Sequence, residues 1–430
     1  MSSLAGSDTP RRTDWRSDRA MRRRQRRRAA ESRLKLYGIS AIATAVLLLG
    51  ILVVSLVQTG YQAFVQTMLT VEITLDESQI SRDKPFDANW RKIVRDGVKA
   101  LFPDVARRDE RALMSVYSSG MEYIVRDRVI ADPSLIGGTV RFAVPASDPI
   151  DQLNKGTFRR DVPENQRRVS DKQIAWFDDL AARGLVSLPF NWGLFTNADS
   201  RFPELAGLAG AIAGSFYALL VCFALSFPLG IGAAIYLEEF APKNNWTRLL
   251  EVNINNLAAV PSVVFGLLAL AVFLGWFGLP RSAPLVGGMT LALMTLPTII
   301  IVTRSALKAV PPSIREAALG VGASKHEMIL HHVLPLTMPT VMTGTIIGLA
   351  QALGETAPLL LIGMNAFITS APGGILDQAT ALPTQVFIWA DSPERGFVAR
   401  TSAAILVLLG FLVVMNGLAI YLRQRLERKW

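Results

Sequence analysis

The amino-acid sequence predicts an all-α polytopic membrane protein with six transmembrane helices and an inserted mixed α/β external domain. Half of its 430 residues are hydrophobic, only 19% are charged, and the mean hydropathy is +0.32. The charges are spread unevenly, so several uncharged stretches exceed the roughly 20 residues that cross a bilayer. The block 71–203 differs, because it is rich in charge and alternates polar with apolar residues. These observations exclude a wholly soluble globular protein.

The first element is a basic tail, residues 1–35, with 12 Lys and Arg against 4 Asp and Glu. Such a tail before a first span stays in the cytoplasm and attracts anionic lipid headgroups, so membrane lipid is predicted as its partner and not nucleic acid. The apolar run that follows, 36–57, is too long for a signal-peptide core and precedes no small-residue cleavage site. We therefore expect an uncleaved N-terminal transmembrane anchor.

The remaining spans follow from hydropathy, and the loop charges orient them. The basic loops around Lys243 and Arg248 and from Arg304 to Lys325 alternate correctly with the basic N-terminus, and so does the basic C-terminal tail. This pattern predicts a multi-pass protein of a bacterial inner membrane with both termini in the cytoplasm. The six predicted spans are 36–57, 205–230, 255–277, 283–303, 337–362 and 401–421.

The block between the first two spans, assigned to a periplasmic α/β domain at 68–203, is charge-neutral. Apolar residues at 71, 73 and 75 alternate with polar ones and predict a strand, and the same pattern returns at 140–144. Helical spacing of apolar residues is found at 90–98 and 171–183. At about 130 residues the block is large enough for a core of its own. Its sequence does not indicate its task.

Several classes of chemistry have little support. The single cysteine, Cys222, permits no intrachain disulfide, and three histidines confined to 326–332 leave little for a metal site. The segment Gly320–Lys325 lacks the spacing of a phosphate-binding P-loop. We therefore predict no catalytic site, cofactor or metal, and any ATP must be bound by another chain.

The stretch 314–335 carries the most informative motif. Alanines after Glu316 predict a short helix with small side chains on its surface. Gly320 and Gly322 permit close backbone approach, and Pro335 marks the point where the chain re-enters a span. The spacing resembles the Glu-Ala-Ala loop of ABC-importer permeases, except that His332 stands where an apolar residue is usual. The resemblance implies contact with an ATPase through seven residues, which are Glu316, Ala317, Ala318, Gly320, Gly322, Leu334 and Pro335.

Two further stretches, 227–240 and 354–360, resemble the PstA type of permease from phosphate ABC importers. The second stretch reads Gly-Glu-Thr-Ala-Pro-Leu-Leu, whereas the sister PstC type has Gly-Glu-Thr-Met-Ala. The resemblance implies a five-helix permease core at 204–430 with its coupling loop at 304–335. It also implies three partners: a PstC-type second permease, an ABC ATPase dimer and a periplasmic phosphate-binding protein. The alternatives are a permease for sulfate or molybdate, or a membrane sensor that uses the 68–203 domain.

An ionisable residue inside a span is costly and points to function. Glu355 is such a residue, and its spacing from Gly344, Gly348 and Gln351 predicts one shared helix face. It either pairs with an arginine of another span or of the partner permease, or takes part in the path directly.

Three further residues, with Glu355, make up the candidate translocation path or gate. Gln351 stands where the family commonly has arginine, and Thr356 follows Glu355 directly. Arg304, at the inner end of the fourth span, is the remaining basic candidate, with anchoring at the membrane surface as the alternative. Pro261 and Pro297 are predicted to lie inside spans, where they bend helices or line a cavity.

Overall fold

The computed structural model describes residues 18–81, 84–157 and 160–426, and the chain forms two compact units, Met1–Leu56 and Val57–Trp430. The first helix, α1 (Asp18–Gly60), contains the predicted anchor and continues without a break from the basic segment before it. An ion pair of 2.9 Å joins Glu31 to Lys35 one turn later on this helix. The first 17 residues of the predicted basic tail lie outside the described residues.

The α/β domain is built on a three-stranded antiparallel sheet in the order β2-β1-β3. The central strand, β1 (Met68–Thr74), pairs along its whole length with β2 (Thr139–Pro145), from Met68 opposite Pro145 to Thr74 opposite Thr139. A short edge strand, β3 (Val186–Ser187), pairs with the start of β1. Both predicted strands are thereby confirmed. Apolar and polar residues alternate along β1 because every second side chain, at residues 69, 71 and 73, points into the core.

Helices cover this sheet and complete its core. The two predicted helices are confirmed as α2 (Trp90–Leu101) and α6 (Asp171–Ala182). Polar caps fix where they begin: the Asn89 side chain accepts a hydrogen bond at the start of α2, and Ser170 forms a capping box at the start of α6. The domain has its own apolar core, as predicted, yet it belongs to the same compact unit as the helices that follow. The remaining α-helices before residue 204 are α3 (Glu110–Met114), α4 (Met121–Ala131), α5 (Asp148–Asn154) and α7 (Gly193–Thr196).

The second half of the chain is helical. The predicted second, fourth and sixth spans correspond to long helices, and the second continues through a π-helical turn to Phe240. Further π-helical segments lie at Leu270–Trp276 and Met328–Val333. The α-helices of this half are α8 (Ala209–Ile235), α9 (Asn245–Ala258), α10 (Ser262–Ala269), α11 (Pro284–Ala309), α12 (Pro312–Gly320), α13 (Lys325–Glu327), α14 (Leu334–Gly354), α15 (Ala357–Leu361), α16 (Leu382–Ala390) and α17 (Gly396–Leu426).

The predicted third span, 255–277, is wrong as one continuous helix. The chain bends by 101° between Asn245–Ala258 and Ser262–Trp276. Pro261 causes the break, since it lacks an amide proton and disfavours helical geometry at the residue before it. It therefore lies at the break before α10 and not inside a helix, whereas Pro297 lies inside α11 as predicted.

The predicted fifth span, 337–362, is also interrupted. Helix α14 ends at Gly354, and Glu355 is extended, with φ −77° and ψ 117°. A separate short helix, α15, follows, so 355–362 does not continue α14. Within the described residues, five helices are long and apolar enough to cross a membrane, or six if the bent pair forms one span.

Glycines allow the core helices to approach one another closely. A Cβ added at Gly288 of α11 would lie 2.5 Å from the Val221 Cβ of α8, and one at Gly344 of α14 would lie 2.5 Å from a methyl group of Val302. Both distances are shorter than a real Cβ contact allows. Gly344 thus lets α11 approach α14 closely, whereas an added Cβ at Gly348 would find ordinary contacts at 3.9 Å.

Candidate functional site

The Glu-Ala-Ala motif forms a surface helix, α12, with one buried face. Glu316 and Ala317 are exposed, whereas Ala318 is buried in a small apolar cluster. The other buried members of the cluster are Leu307, Val310, Met328, Ile329 and Val333. The short Ala318 side chain lets α12 lie close to this cluster, and the helix presents Glu316 and Ala317 outward.

The turn after α12 depends on two glycines of different kinds. Gly322 has φ +91°, the left-handed region that a side chain disfavours, whereas Gly320 ends α12 without a positive φ. A capping box between Ser324 and Glu327 then starts the next helical segment, with 2.8 Å from the Ser324 amide nitrogen to Glu327 Oε2. These local interactions hold the loop in one conformation.

Exposed apolar side chains beside the motif were missed by sequence reasoning. Leu319 is 48% exposed and Val321 is 84% exposed, on the same turn as Glu316 and Gly322. A cluster of this kind on an otherwise charged loop is typical of a protein contact. The sequence feature that could have indicated this contact surface is the presence of apolar residues in a segment predicted to be a loop.

Arg315 fixes α12 to the core and was also missed. Its Nη2 donates to Glu239 Oε1 at 3.0 Å and to the Leu307 carbonyl oxygen at 2.8 Å, and its Nη1 donates to the Val310 carbonyl oxygen at 2.7 Å. The guanidinium therefore joins the end of α11 to the π-helical turn after α8. Arginine suits this position, since its planar fork reaches three acceptors at once.

The predicted path residue Arg304 lies in a second ion cluster nearby. Its Nη2 is 2.6 Å from Glu251 Oε1 of α9, and its Nε is 3.5 Å from Glu238 Oε2. Lys308 Nζ is 3.6 Å from the same Glu238 oxygen. Arg304 thus contacts two carboxylates, shares one of them, Glu238, with Lys308, and links three segments of the core. The ion pairs of Arg315 and those of Arg304 each use one of two adjacent glutamates, 239 and 238, at the end of a span. That adjacent pair was the feature of the sequence that could have indicated both groups of ion pairs.

The loop joins α14 without a gap. Leu334 and Pro335 are the first two residues of α14, both half-buried, directly after the π-helical segment Met328–Val333. His332 is exposed. Pro335 lies inside one continuous helical run, Lys325–Gly354, at the junction of the π-helical segment with α14, where it donates no amide hydrogen bond.

The predicted shared face of Glu355 is wrong. Gly344, Gly348 and Gln351 belong to α14, but Glu355 follows its end, because Gly354 and the extended backbone at 355 interrupt the helix. Gln351 is exposed, whereas Glu355 and Thr356 are half-buried. Among the residues that the structure describes, Glu355 has no ion pair or side-chain hydrogen bond. Its charge is therefore unmatched within the described part of this chain.

A third group of charges lies where the α/β domain meets the helical core. The Glu204 carboxylate accepts a hydrogen bond from Ser118 Oγ at 2.7 Å, and buried Arg400 donates to the Ala206 carbonyl oxygen. Burial raises the pKa of the Glu204 carboxyl above its ordinary 4.5, and burial raises that of Asp148 as well. Sequence reasoning did not identify this junction, because its members come from distant segments.

A multi-span helical core with an exposed Glu-Ala-Ala helix defines the class of transport permeases that work with a separate ATPase. Residues 226–428 match the family described as binding-protein-dependent transport system inner membrane component, and residues 21–164 match a domain of unknown function, DUF3333.

Known relatives match about half of the chain. It is 34% identical to the phosphate transport system permease protein PstA of Yersinia pestis over 221 residues, which are 50% of this chain and 71% of that protein. It is 27% identical to the probable ABC transporter permease protein YqgI of Bacillus subtilis over 252 residues, which are 55% of this chain and 84% of that protein. The chain belongs to the family of binding-protein-dependent transport system inner membrane components. It is a multi-pass inner-membrane permease subunit of an ABC importer, and its partners include an ATPase and a substrate-binding protein.

Proposed function

We propose that this chain is the PstA-type permease subunit of an ATP-driven phosphate importer. It forms the translocation path with a PstC-type second permease and receives phosphate from a periplasmic phosphate-binding protein. The observation that carries the proposal is the 34% identity to a phosphate permease over 221 residues, which are 71% of that protein. The exposed helix α12 supports it, because a partner ATPase needs an accessible and rigid element to move.

Coupling runs through α12 and the residues that hold it. Glu316, Ala317, Gly320 and Gly322 meet a cleft of the ATPase dimer, and Leu319 and Val321 supply apolar contact area. Arg315 transmits the movement to the core through Glu239 and the end of α11. ATP is hydrolysed in the partner, and this chain contributes no catalytic group to that reaction.

Glu355 acts where the path meets the partner permease. Its half-buried carboxylate has no cation beside it in the described residues, and an unmatched membrane charge is costly. A cation of the second permease or a water-filled path therefore accompanies it. Gln351 and Thr356 lie near it in sequence, whereas Arg304 has a positioning role through its two carboxylates.

The test of substrate is competition. The chain is expressed with its partner subunits in cells without their own phosphate importer, and uptake of labelled phosphate is measured with excess sulfate or molybdate. Phosphate uptake that neither anion suppresses is the expected result. Uptake of labelled sulfate in its place would refute the assignment.

The test of orientation uses single cysteines in a Cys222→Ala background. Asn165 and Gly320 are both exposed, one in the α/β domain and one on α12. We expect an impermeant thiol reagent to label Asn165→Cys in intact spheroplasts and Gly320→Cys only after lysis. The reverse order would place the α/β domain in the cytoplasm.

A further inference from the structure

A cleft of about 720 Å³ opens on the α/β domain between α2, the 3-10 turn at Arg107–Asp109, α3 and α4. Four arginines line it, two from α2 and two from the turn and α3, together with exposed Ser119. Neither the coupling loop nor the candidate path includes these residues. The arginines lining the cleft are Arg91, Arg95, Arg107 and Arg111.

Carboxylates pair with two of the four arginines, since Arg91 contacts Glu122 and Arg95 lies 3.9 Å from Asp96, and within the described residues they leave the other two unpaired. Glu122 accepts two hydrogen bonds from Arg91, at 3.1 and 3.3 Å, and Glu110 is paired with Lys99 at 2.6 Å. Across residues 18–81, 84–157 and 160–426, neither Arg107 nor Arg111 has a carboxylate within ion-pair distance. The cleft is therefore a local excess of positive charge in a block, 71–203, that holds 20 basic and 20 acidic residues.

We propose that this cleft binds a phosphate group, either free or carried by an organic phosphate ester. Guanidinium groups recognise the oxygens of phosphate through two parallel hydrogen bonds, and Arg107 and Arg111 have donors that no carboxylate takes. The Ser119 hydroxyl adds a neutral donor at the same wall. The cleft is also wide enough for an organic substituent attached to the phosphate. This inference does not depend on which anion the importer carries.

The cleft is connected to the helical core through its floor. Ser118 lines the cleft and donates to Glu204, and a Cβ added at neighbouring Gly120 would lie 2.1 Å from a methyl group of Leu205. The 3-10 turn Pro203–Leu205 leads directly into α8. A ligand in the cleft therefore stabilises the junction between the α/β domain and the core, and it raises the unfolding temperature of the whole protein.

The experiment titrates the purified full-length chain, without the substrate-binding protein, with inorganic phosphate and with glycerol 3-phosphate in a calorimeter. We expect Arg107→Gln and Arg111→Gln each to weaken binding by about tenfold or more, because each removes a charged donor. Arg108→Gln is the matched control, since it removes the same charge one residue away and lies outside the cleft lining. Binding also weakens as salt is raised, as for any exposed ionic site.

The two ligands distinguish the sources of the phosphate group. Tighter binding of glycerol 3-phosphate assigns the cleft to organic esters, and equal binding shows that the phosphate group suffices; both support the proposal. No saturable binding, or an equal loss in Arg108→Gln, would overturn it. The proposal is also overturned if the unaltered chain binds no phosphate and Arg107→Gln loses docking of the substrate-binding protein. That result would show that the cleft binds an acidic surface of that protein. Phosphate uptake is measured separately, so failure of this proposal is distinguishable from failure of the substrate assignment.

Discussion

The contact between Arg315 and Glu239 is the most direct test of how α12 is held. The Arg315 side chain is 21% exposed and that of Glu239 is 9% exposed, so the pair lies between a surface and a buried ion pair. Removing one partner of a buried pair costs about 3–5 kcal/mol. An exposed pair contributes about 0–1 kcal/mol. We therefore expect Arg315→Met to cost about 2–3 kcal/mol.

The two partners are not equivalent. Without Arg315, the Glu239 carboxylate stays buried without a counter-charge, and the carbonyl oxygens of Leu307 and Val310 lose their donor as well. Without Glu239, Arg315 keeps both carbonyl acceptors and some contact with water. We expect Glu239→Leu to cost less than Arg315→Met. The double variant should recover about 1–2 kcal/mol of the summed losses, because it leaves no unpaired charge.

The assay measures coupling and stability in the same preparations. The single and double variants are reconstituted with their partners, and substrate uptake, stimulated ATP hydrolysis and thermal unfolding are recorded. A loss of 2 kcal/mol raises the fraction of detached α12 by about 30-fold, so less substrate is carried per ATP hydrolysed in Arg315→Met.

The control is Lys308→Met, which removes a neighbouring cation that is 58% exposed and 3.6 Å from Glu238. It should change stability by less than about 1 kcal/mol. Purely additive losses in the double variant would refute the pairing. Unchanged transport per ATP in Arg315→Met would refute its role in positioning α12.

Three further predictions concern single sites. Gly322→Ala should cost about 1–2 kcal/mol of loop stability and lower uptake, because Gly322 has φ +91°. Gly320→Ala at the end of α12 should cost no comparable stability, because Gly320 has no positive φ and an added Cβ would meet open space; equal losses of stability would contradict this reasoning. Glu355→Gln should leave the unfolding temperature of the isolated chain unchanged yet reduce uptake several-fold at equal membrane abundance, since its charge has no partner in the described residues. Glu204 has a raised pKa, so it favours the folded junction fully below pH 4.5 and loses that contribution as pH rises through 4.5 towards the raised value. Glu204→Gln should therefore flatten the fall of unfolding temperature with pH, and an unchanged slope would refute the assignment.

Local patterns in the sequence were enough for most of the secondary structure. The strands at 68–74 and 139–145 follow from period-two alternation, and the spans in α8, α11 and α17 follow from their uncharged length. The Glu-Ala-Ala helix and its glycine turn were predictable for the same reason, because the motif is continuous along the chain.

The same patterns failed where a helix had to be interrupted. Hydropathy averages over a window, so it joined α9 to α10 across Pro261 and α14 to α15 across Glu355. Only the backbone geometry shows that 355 begins a new segment. The proposed helix face of Gln351 and Glu355 therefore does not exist.

What the sequence by itself determined is the class of protein, because apolar length, loop charge and one contiguous motif are properties of neighbouring residues. Only the tertiary structure decided which charges meet. Glu239 and Arg315 are 76 positions apart, Arg304 and Glu251 are 53 apart, and Ser118 and Glu204 are 86 apart. Pairings across such separations depend on how helices pack and where their ends lie, and no local spacing encodes that.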